Sequence, residues 1–332
     1  MGKCLYILSS GTLKRKDNTI VIESEGKRKF IPVEVTDEIF IFGEVDLNKR
    51  FLEFCTTNKI ILHFFNHHHY YQGTYYPREH MNSGAVILAQ AKHCLDIEKR
   101  LILAQKFIAG AIRNMKTVLL YYLRRGNPMI DEIIKDLDNF DALSQRQKGI
   151  AELMAIEGNA RDKYYSAFDI ITGGGPFSME SRTRRPPQNK LNALISFLNS
   201  LCYVTILAQI YKTHLDPRIG FLHETNFRRF TLNLDIAEIF KPILVDRLIF
   251  SLINKKQIQA KHFKGRVGGG IFLSEKGIQI VLQAWEERLM STIEHPKLKR
   301  NVSYRSLIRM EAYKLQKHIL EDEEYQPFAM RW

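Results

Sequence analysis

Three stretches of the chain carry side chains that could together bind one divalent metal ion. Glu157 lies in the sequence AIEGNARDKYYSAF, His223 ends the sequence LDPRIGFLH, and Asp235 and Glu238 both lie in LNLDIAEIFK. Carboxylate oxygens and an imidazole nitrogen form a mixed ligand set that suits Mn²⁺ or Mg²⁺ and leaves positions open for a substrate. These residue types indicate a catalytic metal site, provided that the fold brings the three stretches together.

Each of these residues also has a purely structural interpretation. Glu157 can pair with Arg161 one helical turn later, and a loop histidine is more often a hydrogen-bonding residue than a metal ligand. Asp235 and Glu238 fall on one face of a predicted helix, Leu232 to Lys241, where two carboxylates repel each other unless a cation joins them. No single one of these residues indicates a metal site; their occurrence together in one part of the chain does.

The positive charge of the chain indicates a polyanionic partner. The 332 residues contain 49 Lys+Arg and 36 Asp+Glu, a net charge of +13. Residues 1–84 hold 11 basic and 10 acidic residues, a net of +1, so residues 85–332 carry +12. The positive field therefore belongs to the part that carries the candidate metal site, and nucleic acid is the partner class that it favours.

Clustered basic residues in this second part are candidates for contacts with the DNA backbone, which depend on salt and not on base identity. The candidates are Arg182, Arg184 and Arg185 in a proline-rich loop, Arg228 and Arg229 after the histidine, and Lys255, Lys256, Lys261, Lys264 and Arg266 around a predicted hairpin. Tyr164 and Tyr165 could stack on DNA, although core packing explains them equally well. For any single basic residue a solvated surface position is the simpler interpretation; the clustering favours DNA.

Composition also excludes several classes of protein. The four cysteines lie far apart with no Cys-x-x-Cys pair, which predicts neither a disulfide framework nor a structural zinc site. We expect no apolar run long enough to span a bilayer, and Met1 to Ser10 lacks the pattern of a secretory signal. A cytoplasmic protein is therefore predicted.

The periodicity of the sequence predicts an α+β fold. Residues 1–82 contain short segments rich in β-branched and aromatic residues and are expected to form a small N-terminal β-domain. One helix, Leu47 to Thr57 with Asp46 as its N-cap, interrupts this domain. From Ser83 onwards the pattern is helical, so residues 83–332 are predicted to form a larger, mainly α-helical catalytic domain.

Within the helical domain, several elements can be placed from their caps. Ala85 to Leu123 is one long helix or two in series, and a capping box at Ser144 to Gln147 predicts a helix from about Gln145 to Ile170. A further helix is expected from Asn189 to Thr213. The last part is predicted to contain a hairpin over Lys261–Leu273, a helix capped by Ser274, and a final helix over about Ser303–Leu320.

The order and spacing of these motifs resemble those of a known family. AIEGNARDKYYSAF, RTRRPPQNKLNALISFLNSLCY, LDPRIGFLH and FTLNLDIAEIFKPILVDRLIF are similar to the corresponding motifs of the CRISPR-associated adaptation integrases, the family called Cas one. The resemblance covers nearly the whole chain, and the later KHFKGRVGGGIFLSEKG is similar to the subgroup that accompanies type I-B interference systems. It implies an N-terminal β-domain that dimerises and a helical domain that carries the site.

The resemblance also implies roles for individual residues. Glu157, His223 and Glu238 would be the metal ligands, with Asp235 as a supporting acid. Because the family often has aspartate where this chain has Glu238, the choice of inner ligand between Asp235 and Glu238 stays open, and we favour Glu238.

The implied function is that of a DNA endonuclease and integrase that depends on Mg²⁺ or Mn²⁺. It would insert short DNA spacers into a CRISPR repeat array by 3′-hydroxyl attack on a phosphodiester. The implied partners are DNA, a second copy of the chain in a homodimer, and the companion protein called Cas two.

Two other functions are compatible with the residues alone. The first is a non-catalytic DNA-binding scaffold whose acidic cluster is structural. The second is a metallohydrolase for a small phosphorylated substrate, which lacks support because neither glycine triplet of the chain ends in the Gly-Lys-Ser/Thr of a phosphate loop.

Overall fold

The computed structural model of the chain describes residues 3–77, 81–225, 230–267, 269–295 and 297–331. The chain divides into two compact units, Met1–Asn82 and Ser83–Trp332. Strands dominate the first unit and helices the second, so the predicted α+β class is confirmed.

The first unit consists of two sheets and one helix. Its elements are β1 (Lys3–Ile7), β2 (Gly11–Lys16), β3 (Thr19–Ser24), β4 (Lys27–Pro32), β5 (Thr36–Ile41), β6 (Val45–Leu47), α1 (Lys49–Thr57), β7 (Ile61–Phe65) and β8 (Tyr71–Tyr75). One sheet has the strand order β1-β5-β7-β8 and the other has the order β4-β3-β2-β6. In the first sheet β1, β5 and β7 run parallel, and β8 is antiparallel to β7. Apolar side chains of both sheets and of α1 form one core.

The predicted start of α1 is wrong. Asp46 lies in β6, where it pairs with Thr12 in a parallel ladder. The helix begins at Lys49, and Asn48 is its N-cap because the Asn48 side chain accepts a hydrogen bond from the Phe51 N–H at 3.0 Å. The sequence reading also missed β2 and β6, because β2 carries several charged residues and β6 is only three residues long.

The second unit contains ten helices among its described residues, together with two short hairpins and one π-helical turn. The elements are α2 (Gly84–Leu95), α3 (Ile97–Leu123), α4 (Ile130–Ser144), α5 (Ile150–Tyr165), α6 (Ala167–Thr172), α7 (Lys190–Ile210), α8 (Leu232–Lys241), the π turn (Pro242–Asp246), α9 (Arg247–Asn254), β9 (Phe263–Val267), β10 (Gly270–Leu273), α10 (Glu275–Met290), β11 (Thr292–His295), β12 (Arg300–Ser303) and α11 (Tyr304–Ile319). Helix α3 packs against α2, α4, α5 and α8.

The structure decides between one helix and two after Ser83. Helix α2 ends at Leu95 and α3 starts at Ile97, because the Asp96 carboxylate accepts hydrogen bonds from the N–H groups of Glu98 and Lys99, both at 3.1 Å. An N-cap side chain of this kind satisfies the first N–H groups of a helix, so a new helix begins after Asp96.

The predicted capping box at Ser144 is wrong. Ser144 is the last residue of α4, and its hydroxyl donates to the Asp141 carbonyl at 2.7 Å. Helix α5 starts later, at Ile150, and ends at Tyr165, with the short α6 after it. The same local pattern of polar residues can end one helix or begin another, and α4 itself was not predicted.

Other predicted elements agree with the structure. Helix α8 spans Leu232–Lys241 as expected, β9 and β10 form the expected hairpin, and the Ser274 hydroxyl caps α10 by accepting from the Gly277 N–H at 3.2 Å. The hairpin of β11 and β12 was not predicted. The start of α10 agrees because the Ser274 cap marks it, whereas α8 has no side-chain cap and was predictable from its apolar spacing.

Helix α7 is buried on nearly every side. By length and composition alone it could cross a membrane, but 78% of its most apolar window is buried inside the unit. The expectation that no apolar run reaches this length was therefore wrong. A helix that is apolar all round can equally be the core helix of a large domain, and the burial of α7 matches that case.

Candidate active site

The acidic pair lies on α8, in the interior of the second unit. Asp235 and Glu238 are one helical turn apart, and both are buried. Lys241 follows one further turn along the same face, and α8 then continues into the π turn that begins at Pro242. Because proline has no N–H to donate, the hydrogen-bond ladder is interrupted at this point. Asp246 ends the π turn and is also buried.

Asp235 orients the loop that carries His223. Its Oδ2 accepts hydrogen bonds from the N–H groups of Phe221 at 2.6 Å and Leu222 at 3.1 Å. Its Oδ1 accepts from the His223 N–H at 2.9 Å and lies 2.8 Å from His223 Nδ1. Asp235 therefore fixes both the backbone and the imidazole of His223, and with Nδ1 bound, Nε2 is the nitrogen that can ligate a metal.

Helices α2 and α3 hold the same loop from the other side. The buried Gln90 amide donates to the carbonyls of Asp216 at 2.9 Å and Ile219 at 2.7 Å, and Arg100 Nε donates to the Phe221 carbonyl at 2.8 Å. Gly220 is packed so tightly that a Cβ there would lie 2.9 Å from Asp235 Oδ2. The loop is thus pinned at successive residues, which fixes where the imidazole stands.

Glu157 on α5 approaches Glu238. Burial raises the pKa of Glu157, and the negative charge of Glu238 together with a hydrogen bond between the two carboxyl groups raises it further. Burial alone would also raise the pKa of Glu238, but Lys241, Arg161 and His223 outweigh it and hold this pKa well below the usual range. The pair therefore consists of an ionised Glu238 and a Glu157 that retains its proton more readily.

Two internal cations neutralise the acidic cluster. Arg161, one turn after Glu157 on α5, places Nη2 2.7 Å from Glu238 Oε2, Nε 3.5 Å from Glu157 Oε1 and Nη1 3.7 Å from Asp246 Oδ2. Lys241 Nζ lies 2.5 Å from Glu238 Oε1. Both carboxylate oxygens of Glu238 therefore face a positive charge.

Asp246 and His223 also have raised pKa values, for different reasons. Burial raises the pKa of Asp246 to about 6, although Arg161 and Lys241 oppose the shift. Burial lowers the pKa of His223, but the hydrogen bond and the charge of Asp235 outweigh it, so the pKa is raised. His223 is thus polarised by the carboxylate that orients it.

The side chains of the site fit a divalent cation in part. In the described part of the chain, no three His, Cys, Asp or Glu side chains are already arranged around one point as metal ligands. The donors are nevertheless of the right kind, since Arg161 binds the carboxylates of both Glu157 and Glu238 and Nε2 of His223 remains as the nitrogen donor. Lys241 is a competitor for this site, because its ammonium binds Oε1 of Glu238, one of the two oxygens through which Glu238 could ligate a metal.

Some of the DNA-contact candidates lie next to this cluster. Arg182 donates to the side chains of Asn192 at 2.8 Å and Ser196 at 3.2 Å at the start of α7, and its charge acts on Asp246 and Tyr165. Tyr165 is partly buried, and its neighbours include Arg161. Tyr164, by contrast, is fully buried and packs edge-on against Phe168, so its core interpretation is the correct one.

The proline-rich loop and the β9–β10 hairpin are neighbours. Ile271 N–H donates to the Pro187 carbonyl at 2.8 Å, and a Cβ on Gly270 would lie 2.5 Å from the Pro186 ring. The exposed basic side chains on this joint surface and beside it are Arg184, Arg185, Lys255, Lys256, Lys261 and Lys264. Arg266 lies on β9, and Arg228 and Arg229 fall outside the described residues.

The sequence reading missed the positive residues of the site. The sequence indicates only a pairing of Arg161 with Glu157, whereas Arg161 bridges three carboxylates in the structure, and it yields no prediction for Lys241. Both residues could have been predicted from their spacing, since Arg161 lies one helical turn after Glu157 and Lys241 one turn after Glu238. Gln90, far away in sequence, had no such signal.

Comparisons with known proteins agree with this geometry. A family model described as CRISPR associated protein Cas1 matches residues 5–287. The chain is 59% identical over 332 residues to the "CRISPR-associated endonuclease Cas1 2" of Thermodesulfovibrio yellowstonii, and the match covers 100% of both chains. The solved structure of a Cas1 protein from Thermotoga maritima superposes with a TM-score of 0.88 at 48% identity, covering 98% of this chain and 99% of that one.

Two more distant structures share the fold alone. A casposase bound to its integration product has a TM-score of 0.87 at 21% identity, covering 98% of this chain and 93% of that one. A chain of a Cas6-RT-Cas1–Cas2 complex has a TM-score of 0.84 at 18% identity, covering 100% of this chain and 36% of that one. The family suggested by the motifs is thereby confirmed: this chain belongs to the Cas1 family of CRISPR-associated proteins, in which its Thermodesulfovibrio relative is named an endonuclease.

Proposed function

We propose that this protein is a DNA endonuclease and integrase of CRISPR adaptation that depends on Mg²⁺ or Mn²⁺. The observation that carries the proposal is that Arg161 binds the carboxylates of both Glu157 and Glu238, at 3.5 Å and 2.7 Å, while Asp235 binds Nδ1 of the His223 imidazole. A buried pair of carboxylates in contact is unfavourable unless a cation or a proton joins the two groups. Arg161 and Lys241 supply that cation in the structure, and a divalent metal would supply the same positive charge when bound.

The proposed ligands are Glu157, His223 and Glu238. When bound, the metal would polarise a phosphodiester and stabilise charge on the reacting oxygens. We assign Asp235 to the supporting role because its oxygens accept three backbone N–H groups and face His223 Nδ1. A carboxylate engaged in this way orients the histidine and is a poor candidate for the inner ligand.

The chain's own cations and basic surface would position the DNA. Arg161 holds the Glu157 and Glu238 carboxylates in place, and Arg182 links the cluster to the proline-rich loop. The exposed Arg184, Arg185, Lys261 and Lys264 and the β9 residue Arg266 would contact phosphates, and Tyr165, a neighbour of Arg161, would contact a nucleotide. We assign Arg228 and Arg229 the same role from the sequence alone.

Hydrolysis and integration differ only in the attacking oxygen. In hydrolysis, water attacks the phosphorus. In integration, the 3′-hydroxyl of a spacer attacks, a new P–O bond forms as the bond to the leaving 3′-oxygen breaks, and a proton passes from the attacking to the leaving oxygen. The casposase that shares the fold is bound to an integration product, and this supports integration as the biological reaction here.

The partners follow from the same reasoning. The Cas1–Cas2 complex of similar fold supports a Cas2 protein, called Cas two above, as a partner of this chain. We also propose DNA as substrate, a homodimer formed through the first unit, a cytoplasmic location, and membership of the type I-B subgroup.

Strand transfer into a plasmid that bears the repeat tests the proposal. The substrate is a short duplex with free 3′-hydroxyls, and the reaction is run with Mn²⁺, Mg²⁺ or a chelator. The native protein should join DNA only with metal, and His223→Ala and Glu157→Ala should lose at least about 100-fold in rate because each removes a ligand. Glu152→Ala, which removes an exposed carboxylate from the same helix as Glu157, is the matched control and should retain the native rate.

A DNA-binding scaffold without catalysis gives a different result. It would bind DNA equally well in all variants and would neither join nor cut DNA with any metal. Full strand-transfer activity in a folded Glu157→Ala protein would also refute the proposed ligand set.

A further inference from the structure

Lys241 binds one of the two carboxylate oxygens of Glu238, which is a proposed ligand of the metal. Its Nζ lies 2.5 Å from Glu238 Oε1, while Arg161 takes the other oxygen at 2.7 Å. The lysine side chain is 10% exposed and the glutamate side chain 5% exposed, so little water screens the ion pair. Glu238 therefore cannot accept a metal on Oε1 without first losing this ammonium.

The two cations at Glu238 differ in how firmly they are held. Arg161 faces the carboxylates of Glu157, Glu238 and Asp246 together, and a planar guanidinium in such a network is fixed. Lys241 is a compact charge on a flexible stem, and its Nζ already lies 5.9 Å from the centre of the Tyr203 ring. Lys241 is thus the cation that can leave, and the face of Tyr203 offers its ammonium another favourable contact.

The charge in the cluster makes exchange of the two cations reasonable. With Glu157, Glu238 and Asp246 in contact with Arg161, the site needs further positive charge in the absence of metal, and Lys241 supplies it. A divalent ion bound by the same carboxylates would supply that charge instead. An ammonium and a divalent ion at one carboxylate oxygen would repel each other strongly in a buried site.

We propose that Lys241 is an internal counter-cation that holds Glu238 in the metal-free protein and competes with the metal for this carboxylate. The lysine stabilises the protein before metal arrives and weakens the affinity for the ion. This inference rests on the proposed metal site at Glu157, His223 and Glu238.

Mn²⁺ alone, titrated into the chelator-treated full-length chain, is the probe. Binding is followed by calorimetry and by the electron paramagnetic resonance signal of free Mn²⁺. Lys241→Met and Lys241→Gln remove the charge and should bind Mn²⁺ at least about tenfold more tightly, because no ammonium must be displaced. Lys241→Arg keeps a cation and should stay within about threefold of the native affinity. Lys163→Met removes a lysine of α5 that pairs with Asp136, and as the matched control it should not change the affinity.

A second readout does not depend on affinity. Without metal, Lys241→Met and Lys241→Gln should unfold at lower temperature than the native protein, because Glu238 has lost a partner. Saturating Mn²⁺ should raise the unfolding temperature of these two variants more than that of the native protein. The measurement also establishes that the variants are folded.

The Mn²⁺ titrations distinguish a failure of the proposed metal site from a failure of the proposed role of Lys241. If native protein shows no Mn²⁺ site that His223→Ala abolishes, the proposed metal site is wrong. If that site exists but Lys241→Met and Lys241→Gln bind Mn²⁺ with native or weaker affinity, only the role of Lys241 is overturned.

Discussion

At the scale of single residues, the candidate site depends on how charge is shared among a few buried groups. Asp235 and Glu238 are both carboxylates on the same helix, yet their surroundings give them different tasks. Asp235 accepts backbone N–H groups and faces an imidazole, whereas Glu238 faces two cations. The chemistry of each residue is therefore set by its neighbours.

A substitution at Asp235 tests its role as an orienting residue. Asp235→Asn keeps the size of the side chain but replaces one acceptor oxygen by an amide N–H₂, which cannot accept from both the backbone and His223. We expect Mn²⁺ affinity to fall by about 10-fold to 100-fold while the protein stays folded. Titration calorimetry measures this loss, and an unchanged affinity would show that Asp235 does not act through the histidine.

The shifted pKa of Glu157 makes a prediction about pH. A carboxyl group whose pKa is raised on folding contributes stability below its unfolded pKa and loses that contribution as pH rises through its folded pKa. In chelator, Glu157→Gln should therefore gain stability relative to the native protein as pH rises from 4.5 through the raised folded pKa of Glu157. Urea unfolding at several pH values measures the difference, and a difference that is constant with pH would contradict the shift.

The pKa of Glu238 shifts on folding in the opposite direction to that of Glu157, so Glu238 serves as the comparison. Its pKa is lowered, so its contribution is present above the unfolded pKa and is lost only as pH falls through the folded value. In chelator at pH 8, Glu238→Gln should therefore destabilise the protein, whereas Glu157→Gln should not.

At the scale of elements, α8 is held in place by a partner far away in sequence. Asn114, buried in the middle of α3, donates to the Ile239 carbonyl of α8 at 2.9 Å and to the Phe328 carbonyl at 3.0 Å, and accepts from the Met330 N–H at 2.8 Å. The Phe328 ring stacks on Phe240 of α8. One amide thus ties the helix of the acidic pair to α3 and to the last described residues of the chain.

Removing this amide should destabilise the second unit. Asn114→Ala leaves two buried carbonyls and one N–H without their partner, and we expect a loss of about 2–4 kcal/mol in the free energy of unfolding. Asn254→Ala, whose amide makes a single 3.3 Å bond to the Ile171 carbonyl, is the matched control and should cost less than about 1 kcal/mol. Denaturant unfolding compares the two, and equal effects would mean that the tie through Asn114 is unimportant.

At the scale of the whole molecule, the excess of positive charge determines how the chain meets its partner. The second unit carries nearly all of the net charge of +13, and exposed basic residues stand on the proline-rich loop and the β9–β10 hairpin, which touch each other. A charge cluster of this kind releases counterions when it binds DNA, so the affinity should fall steeply with salt.

The salt dependence can be assigned to particular residues. Arg184→Ala combined with Arg185→Ala should weaken DNA binding and reduce the slope of log affinity against log salt by up to about 2, which corresponds to two phosphate contacts. Lys49→Ala combined with Arg50→Ala removes two exposed neighbouring cations from the first unit and should leave the slope near the native value. Fluorescence anisotropy over a range of salt concentrations gives both slopes, and equal slopes in the two double variants would place the DNA elsewhere.

Several elements of the fold and part of the site could be predicted because they depend on residues close together in the sequence. Helix α8, the β9–β10 hairpin and the cap of α10 each depend on residues within a few positions of one another, and so does the placement of Asp235 and Glu238 on one face. The class α+β and the family also follow from local motifs. The errors arose where local signals were ambiguous, as at Ser144, which closes one helix instead of opening another.

The sequence by itself determined which side chains were available for chemistry, the two kinds of domain and the location of the positive charge. Only the tertiary structure decided which charges meet. No periodicity of the sequence encodes the contacts of the site, because they join separate segments or depend on the choice of rotamer. They are the contacts of Arg161 and Lys241 with Glu238, of Asp235 with His223, and of Gln90 with the loop that carries His223. The physical reason is that a buried charge takes its pKa and its role from the groups that replace its water, and only the packed chain specifies those groups.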